Sequence, residues 1–196
     1  MSELISGKII SAQINEELRN EVDYLKDSGV EPCLAVILVG EDPASAVYVR
    51  NKKRTCAELG IRSVGHDLQE NTSQEELENL VHDLNNDPSI HGILNQFPLP
   101  NGLDESRVIR TISPEKDVDG LHPLNAGLIA MGQPSFISCT PYGVLQMLKR
   151  SDISTSGKKV VVLGRSNLVG RPIATLLSSK GWDSTVTLCQ SKTENL

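Results

Sequence analysis

No apolar run in the chain approaches the roughly 18 residues that a membrane helix requires, so no membrane-spanning helix is expected. Basic charge is also in short supply: 19 Lys and Arg stand against 25 Asp and Glu, for a formal net charge of -6. That balance offers no electrostatic footprint for nucleic acid or for an anionic membrane surface. The segment Met1 to Lys8 lacks both the basic start and the apolar centre of a secretory leader, and the expected location is the cytoplasm. Cysteine is sparse. Cys33, Cys56, Cys139 and Cys189 show no CxxC spacing and do not combine with His66, His82, His91 or His122 at ligand distances. This argues against a metal centre or a disulfide framework and for reduced, mostly buried thiols. The chain has no internal repeat and no low-complexity segment.

What is present is an alternation of helix and strand patterns. At 196 residues there is room for one large domain or for one and a half α/β domains. Ile9, Ile10, Ile14, Leu18, Val22 and Leu25 keep a helical period that runs out at Asp27-Ser28-Gly29. Cys33 to Val39 is an unbroken apolar run, as in a strand buried on both faces of a parallel sheet, and Gly40 ends it. A second helix is expected over Ala44–Leu59 and a strand over Ile61–Leu68. A third helix, capped by Thr72-Ser73, runs through Leu84, and a strand follows at Ile90–Asn95. Strands separated by helices of this length need crossover connections, which predicts a parallel α/β layer. A helix from Pro141 to Lys149 precedes the Ser, Thr and Gly-rich loop 151–159, the expected domain boundary, giving units at residues 1–150 and 151–196. Beyond that loop Val160–Leu163, one helix and Thr185–Cys189 make up half of a mononucleotide-binding fold with an unpaired sheet edge, so the second unit is expected to be an incomplete Rossmann-like domain and the chain to be cut short.

The turn Gly164-Arg165-Ser166-Asn167-Leu168-Val169-Gly170 lies between the Val160–Leu163 strand and a helix opened by Arg171-Pro172. In that order, backbone N–H groups at a helix N-terminus can face a nucleotide phosphate. Ser166 stands where the strict fingerprint has its second glycine, so an ordinary strand-to-helix turn is the competing reading. Arg165 favours the phosphate, because a planar guanidinium can hold a ribose 2′-phosphate bidentately. NADP is expected over NAD.

Four segments carry a family resemblance: Tyr48-Val49-Arg50-Asn51-Lys52, Gln96-Phe97-Pro98-Leu99-Pro100, Pro114 to Gly120 (PEKDVDG), and Gly164-Arg165-Ser166 with Val169-Gly170-Arg171-Pro172. With Cys139-Thr140-Pro141 and the tail from Thr185 to Thr193, the chain resembles the methylenetetrahydrofolate dehydrogenase/cyclohydrolase family along its whole length, in order. The resemblance implies NADP-dependent oxidation of 5,10-methylenetetrahydrofolate to 5,10-methenyltetrahydrofolate, then hydrolysis to 10-formyltetrahydrofolate. It also implies a homodimer that binds tetrahydrofolate derivatives. A folate-binding or dimer-forming fragment without turnover is the alternative within the family. A different two-domain NADP-dependent dehydrogenase would share the turn at Gly164 but not PEKDVDG or Tyr48 and Lys52.

Lys52 lies four residues after Tyr48, which places both on one helix face. Lys52 resembles the family's general acid/base, against the plain reading of a solvated lysine among Arg50, Lys53 and Arg54. Tyr48 is expected to stack on the folate, or else to be a core tyrosine. Gln96, at the carboxyl end of its strand, is either a loop hydrogen-bonder or an acceptor for Lys52. Pro98-Leu99-Pro100 forms a rigid wall beside it, and Leu99 is counted with the substrate-binding residues. Asn95 and Phe97 stand where small aliphatic residues are usual in the family. The resemblance assigns Asp119 to the amino-pyrimidine edge of the pterin and leaves Asp117 as loop support, with a turn or capping role as the alternative for each. Gly164, Arg165, Ser166 and Ser191 match positions at the adenosine end of the cofactor, although Gln190 replaces the histidine usual before that serine.

Overall fold

The computed structural model describes residues 4–133, 135–194 and 196; Met1, Ser2 and Glu3 of the segment considered as a leader lie outside the described residues, with Pro134 and Asn195. The chain divides into two compact units, one formed by Ala12–Val118 and the other by residues up to Ser11 together with Asp119–Leu196. The division passes through the first helix, α1 (Gly7–Asp27).

In the Ala12–Val118 unit, β1 (Cys33–Val39), β2 (Arg62–Leu68) and β3 (Gly92–Asn95) form a wholly parallel sheet in the order β2-β1-β3. The register sets Cys33 beside Arg62 and Ile37 beside Asn95. The apolar run of β1 is central because it has two faces to bury. Ala35, Ile37 and Val39 pack on one side with Leu77, Val81, Ile93 and Val108. Val36 packs on the other side with Val49 and Leu94. Full burial of such aliphatic side chains contributes about 1.5–3 kcal/mol each.

The helices of this unit start where short polar side chains satisfy their first N–H groups. Asp42 caps α2 (Pro43–Glu58) by accepting from the Ser45 N–H at 2.7 Å, with Pro43 pre-set in the first turn. Ser73 and Glu76 form a reciprocal capping box at α3 (Gln74–Asn86). A fourth helix, α4 (Glu105–Thr111), has no counterpart in the sequence pattern because it spans only seven residues. Its signals are the Asp104 cap and the buried Val108 and Ile112.

The second unit contains α5 (Pro123–Ala130), α6 (Cys139–Arg150), β4 (Lys159–Leu163), α7 (Gly170–Ser178) and β5 (Thr185–Cys189). Helix α5, eight residues begun by Pro123 and the His122 cap, is also absent from the sequence reading. Strands β4 and β5 pair in parallel from Lys159–Thr185 to Leu163–Cys189. One face of the pair, with Val160, Val162 and Val186, packs on Ile173, Leu176 and Leu177 of α7 and Leu145 of α6. On the other face Val161 and Leu163 are 61% and 70% exposed. The contacts of α5 and α6 with α7 place the division between Val118 and Asp119, upstream of the loop at 151–159 where the sequence pattern set it. The reason is burial: Leu145 and Ile129 complete the core of β4, β5 and α7.

Candidate active site

Helix α2 turns Ser45, Val49 and Cys56 inward and leaves Tyr48 and Lys52 together on another face. Tyr48 is 62% exposed, so its ring stands open and is no part of the core. Lys52 is half-buried, and its Nζ donates to Gln96 Oε1 at 3.1 Å. Gln96 is held from two other directions. Its backbone N–H donates to Ile37 O at 2.9 Å, which continues the β1–β3 ladder, and its Nε2 donates to Phe97 O at 2.8 Å. The two ends of the amide are thereby distinguished, with oxygen toward Lys52 Nζ and nitrogen toward a carbonyl. The partner of Lys52 is a neutral amide that orients Nζ, and among the described residues Nζ makes no other hydrogen bond or ion pair. The neighbouring cations are deployed elsewhere: Lys53 pairs with Asp67 at 3.7 Å and Arg54 with Glu58 at 3.6 Å.

After Gln96 the chain passes through a cis Phe97-Pro98 peptide. The Leu99 side chain packs against the core cluster of the sheet.

The PEKDVDG segment serves three purposes that spacing did not separate. Lys116 Nζ donates to Leu84 O at 3.0 Å and Asp87 O at 2.8 Å, so it closes the carboxyl end of α3, a role the sequence reading missed. Lys116 stands 29 positions after Asp87, so no local signal in the sequence marked this role. Asp117 is buried, 3% exposed, and bridges Ile93 in parallel beside β3. Asp119 opens the second unit, half-buried, with Cys139 Sγ 3.8 Å from its Oδ1. Gly120 follows with φ 63, and a Cβ there would sit 2.7 Å from Phe136 O and 2.8 Å from Ser138 N. Only glycine lets the Asp119 loop lie this close to the 136–138 backbone.

The turn after β4 departs from the expectation that helix N–H groups stand ready for a phosphate. Ser166 Oγ accepts from Val169 N at 3.2 Å and Gly170 N at 3.3 Å, and Ser166 O accepts from Arg171 N at 3.0 Å. Pro172 has no N–H, and Ile173 N already donates to Val169 O at 3.0 Å. Ser166, in the second-glycine position, therefore consumes the donors of the first turn of α7. Gly170 remains indispensable, since a Cβ there would collide with Gly164 O. The Arg165 side chain is exposed, and among the described residues its guanidinium makes no hydrogen bond or ion pair. Ser191 is exposed in the turn after β5, where Gln190 N donates to Thr193 Oγ1 at 2.8 Å and Lys192 N donates to Gln190 Oε1 at 2.9 Å. Gly164 N donates to Cys189 O at 2.9 Å, which ties the two turns to the same end of the parallel pair. Arg165 and Ser191 thus belong to the carboxyl edge of one sheet, the ligand side of such folds.

Cys33, Cys56 and Cys189 are buried and Cys139 is exposed, all as free thiols. Burial pushes the Cys33 and Cys56 thiols up and keeps them protonated. Among the described residues no three His, Cys, Asp or Glu side chains gather as a metal site, and no helix is long and apolar enough to cross a membrane.

A parallel α/β unit with a lysine–glutamine pair at the strand ends, followed by a strand–turn–helix unit of nucleotide-binding type, defines a two-part α/β enzyme class. Comparison with known proteins gives the particular family. The tetrahydrofolate dehydrogenase/cyclohydrolase catalytic domain matches residues 5–119, and the NAD(P)-binding domain of the same family matches residues 138–196. The chain belongs to the tetrahydrofolate dehydrogenase/cyclohydrolase family. It is 51% identical over 196 residues to the bifunctional protein FolD of Agathobacter rectalis, covering 100% of this chain and 70% of that one. It is 54% identical over 190 residues to the FolD of Caldicellulosiruptor saccharolyticus, covering 95% and 67%. The crystal structure of the bifunctional FolD methylenetetrahydrofolate dehydrogenase/cyclohydrolase from Campylobacter jejuni superposes with a TM-score of 0.96 at 46% identity, covering 98% of this chain and 68% of that one. The Trypanosoma brucei dehydrogenase-cyclohydrolase, solved with NADP cofactor and inhibitor, gives 0.92 at 36% identity, covering 98% and 66%.

Proposed function

We propose that this chain oxidises 5,10-methylenetetrahydrofolate to 5,10-methenyltetrahydrofolate with NADP and hydrolyses the product to 10-formyltetrahydrofolate. The observation that carries the reading is the Lys52–Gln96 hydrogen bond at the carboxyl end of the sheet. Relatives named bifunctional protein FolD, and the solved Campylobacter jejuni relative named as a bifunctional enzyme, favour turnover over a folate-binding fragment. NADP supplies the hydride acceptor when bound, and the free Arg165 guanidinium suits its 2′-phosphate, with Gly164, Ser166 and Ser191 lining the same edge.

The chain's own work is proton handling and placement. In the hydrolytic step water adds to the methenyl carbon, Lys52 as the free amine takes the proton that water gives up, and the carbon–nitrogen bond to one folate nitrogen breaks as Lys52 returns a proton to it, the hydroxyl proton of the adduct passing to solvent as the formyl carbonyl forms. Gln96 holds Nζ in the direction this exchange needs. The open Tyr48 ring stacks on the folate, and the Asp119 carboxylate pairs with the amino-pyrimidine edge of the pterin. Leu99 shapes the wall beside Gln96. The enzyme works as a homodimer in the cytoplasm.

Lys52→Ala is expected to lower methenyltetrahydrofolate hydrolysis by about a hundredfold or more while a folate analogue still binds. Hydrolysis at the parental rate would identify Lys52 as an ordinary surface lysine.

A further inference from the structure

The loop that leaves β3 has an unusual supply of hydrogen-bond donors. Pro98 and Pro100 have no N–H, so Leu99 carries the one backbone donor between Phe97 and Asn101. That N–H donates to Glu105 Oε1 at 2.9 Å, a contact that reaches back from the first residue of α4. Helix α4 is itself a fixed base. Its Asp104 cap accepts from Arg107 N at 3.2 Å, and Asp104 N donates to Gln74 Oε1 at 2.7 Å. Arg107 pairs with Glu78 of α3 at 2.7 Å, and Val108 is wholly buried. At the other end of the loop Phe97 O accepts from Gln96 Nε2, whose Oε1 in turn receives Lys52 Nζ.

We propose that Glu105 is a positioning residue for the Lys52–Gln96 pair, acting through the proline loop, a claim that rests on the acid/base reading of Lys52. Glu105 fixes Leu99. Between two rings that lock φ, fixing Leu99 fixes the direction of the Phe97 carbonyl. That carbonyl sets which way the Gln96 amide faces, and the amide sets where Lys52 points its proton. Without the Glu105 contact the lone donor of the loop turns to water, and the Phe97 carbonyl is free to rotate away from Gln96.

Three substitutions separate reach from charge. Glu105→Gln keeps an acceptor at the same distance and loses the charge; Glu105→Asp keeps the charge and loses one methylene of reach; Glu105→Ala loses both. Small misplacements of a catalytic group cost up to about a hundredfold. The Asp and Ala variants should therefore lose about tenfold or more in kcat for methenyltetrahydrofolate hydrolysis with KM little changed, and Gln should stay near the parent. Hydrogen exchange at the Leu99 amide gives a readout independent of turnover: faster in Asp and Ala, unchanged in Gln. Lys52→Ala is measured beside them. If it is impaired while Glu105→Asp and Glu105→Ala are not, Glu105 has no positioning role. Equal loss in Gln, Asp and Ala means that an acceptor at the same reach does not hold the loop, which also overturns the proposal. If Lys52→Ala is unimpaired, the acid/base reading fails first and takes the proposal with it.

Discussion

Asn95 is the residue whose local chemistry fits its surroundings least. It is 2% exposed, it follows Ile93 on the same side of β3 toward the apolar cluster, and among the described residues neither its Nδ2 nor its Oδ1 has a hydrogen-bond partner. An unsatisfied buried amide costs about 1–3 kcal/mol. Asn95→Leu, which keeps four side-chain heavy atoms branched at Cγ, should raise the unfolding free energy by about that amount, read as a higher denaturant midpoint at unchanged slope. A lower midpoint would show that the amide is engaged. The sequence had already marked Asn95 and Phe97 as departures from the family pattern, and the two differ in consequence. Phe97 contributes its carbonyl to Gln96 whatever its side chain, whereas Asn95 brings a polar group into the core.

The turn between β4 and α7 shows how an element can keep its outline and change its chemistry. Strand, glycines and helix lie where the pattern predicts, yet Ser166 turns the helix donors back on their own chain. The anion-binding role proposed for this turn then rests on the Arg165 side chain. The protein should bind NADP more tightly than NAD, through charge-assisted bonds worth on the order of 1.5–3 kcal/mol. Arg165→Ala should remove most of that gap, as titration of both cofactors against parent and variant would show. Equal affinity of the parent for the two cofactors would remove the premise. Helices α4 and α5 teach a complementary point. At seven and eight residues they give no readable period, and their Asp104 and His122 caps become informative only once the neighbouring helices are seen.

On the scale of the molecule, four carboxylates of the Ala12–Val118 unit sit below their ordinary pKa because they accept hydrogen bonds in the fold. Ser45 lowers Asp42, Ser73 lowers Glu76, Gln74 and then Arg107 lower Glu78, and Ser89 lowers Asp87. A depressed folded pKa contributes stability that is fully present above the unfolded value, near pH 4, and is lost as pH falls through the folded value. The helical signal of this unit should therefore weaken as pH is lowered from about 4.5 toward 2. Ser73→Ala should reduce the acid sensitivity of α3 in part, because it removes the Ser73 hydroxyl bond to Glu76 and leaves the Ser73 backbone N–H donating to it. Far-ultraviolet circular dichroism across an acid titration checks both, and a flat profile over that range would show that these bonds add nothing to folding.

Much of this protein was determined locally and could be read directly. The run Cys33–Val39 had to be an interior strand, Thr72-Ser73 had to start a helix, and Gly29, Gly40 and Gly60 had to end elements, because each depends on neighbours within a few residues. The parallel architecture followed from helix-length connections. What only the tertiary structure decided were the meetings between distant segments. Lys52 reaches Gln96 across 44 positions because β1 and β3 pair and α2 packs over that face. Lys116 closes α3 across 32 positions, and the unit boundary falls between Val118 and Asp119, inside a motif that is continuous in sequence. Spacing restricts which side chains share a helix face or a strand edge. Which carbonyl, amide or carboxylate each one finds depends on the register of strands and the packing of helices, and those are settled by burial summed over the whole unit.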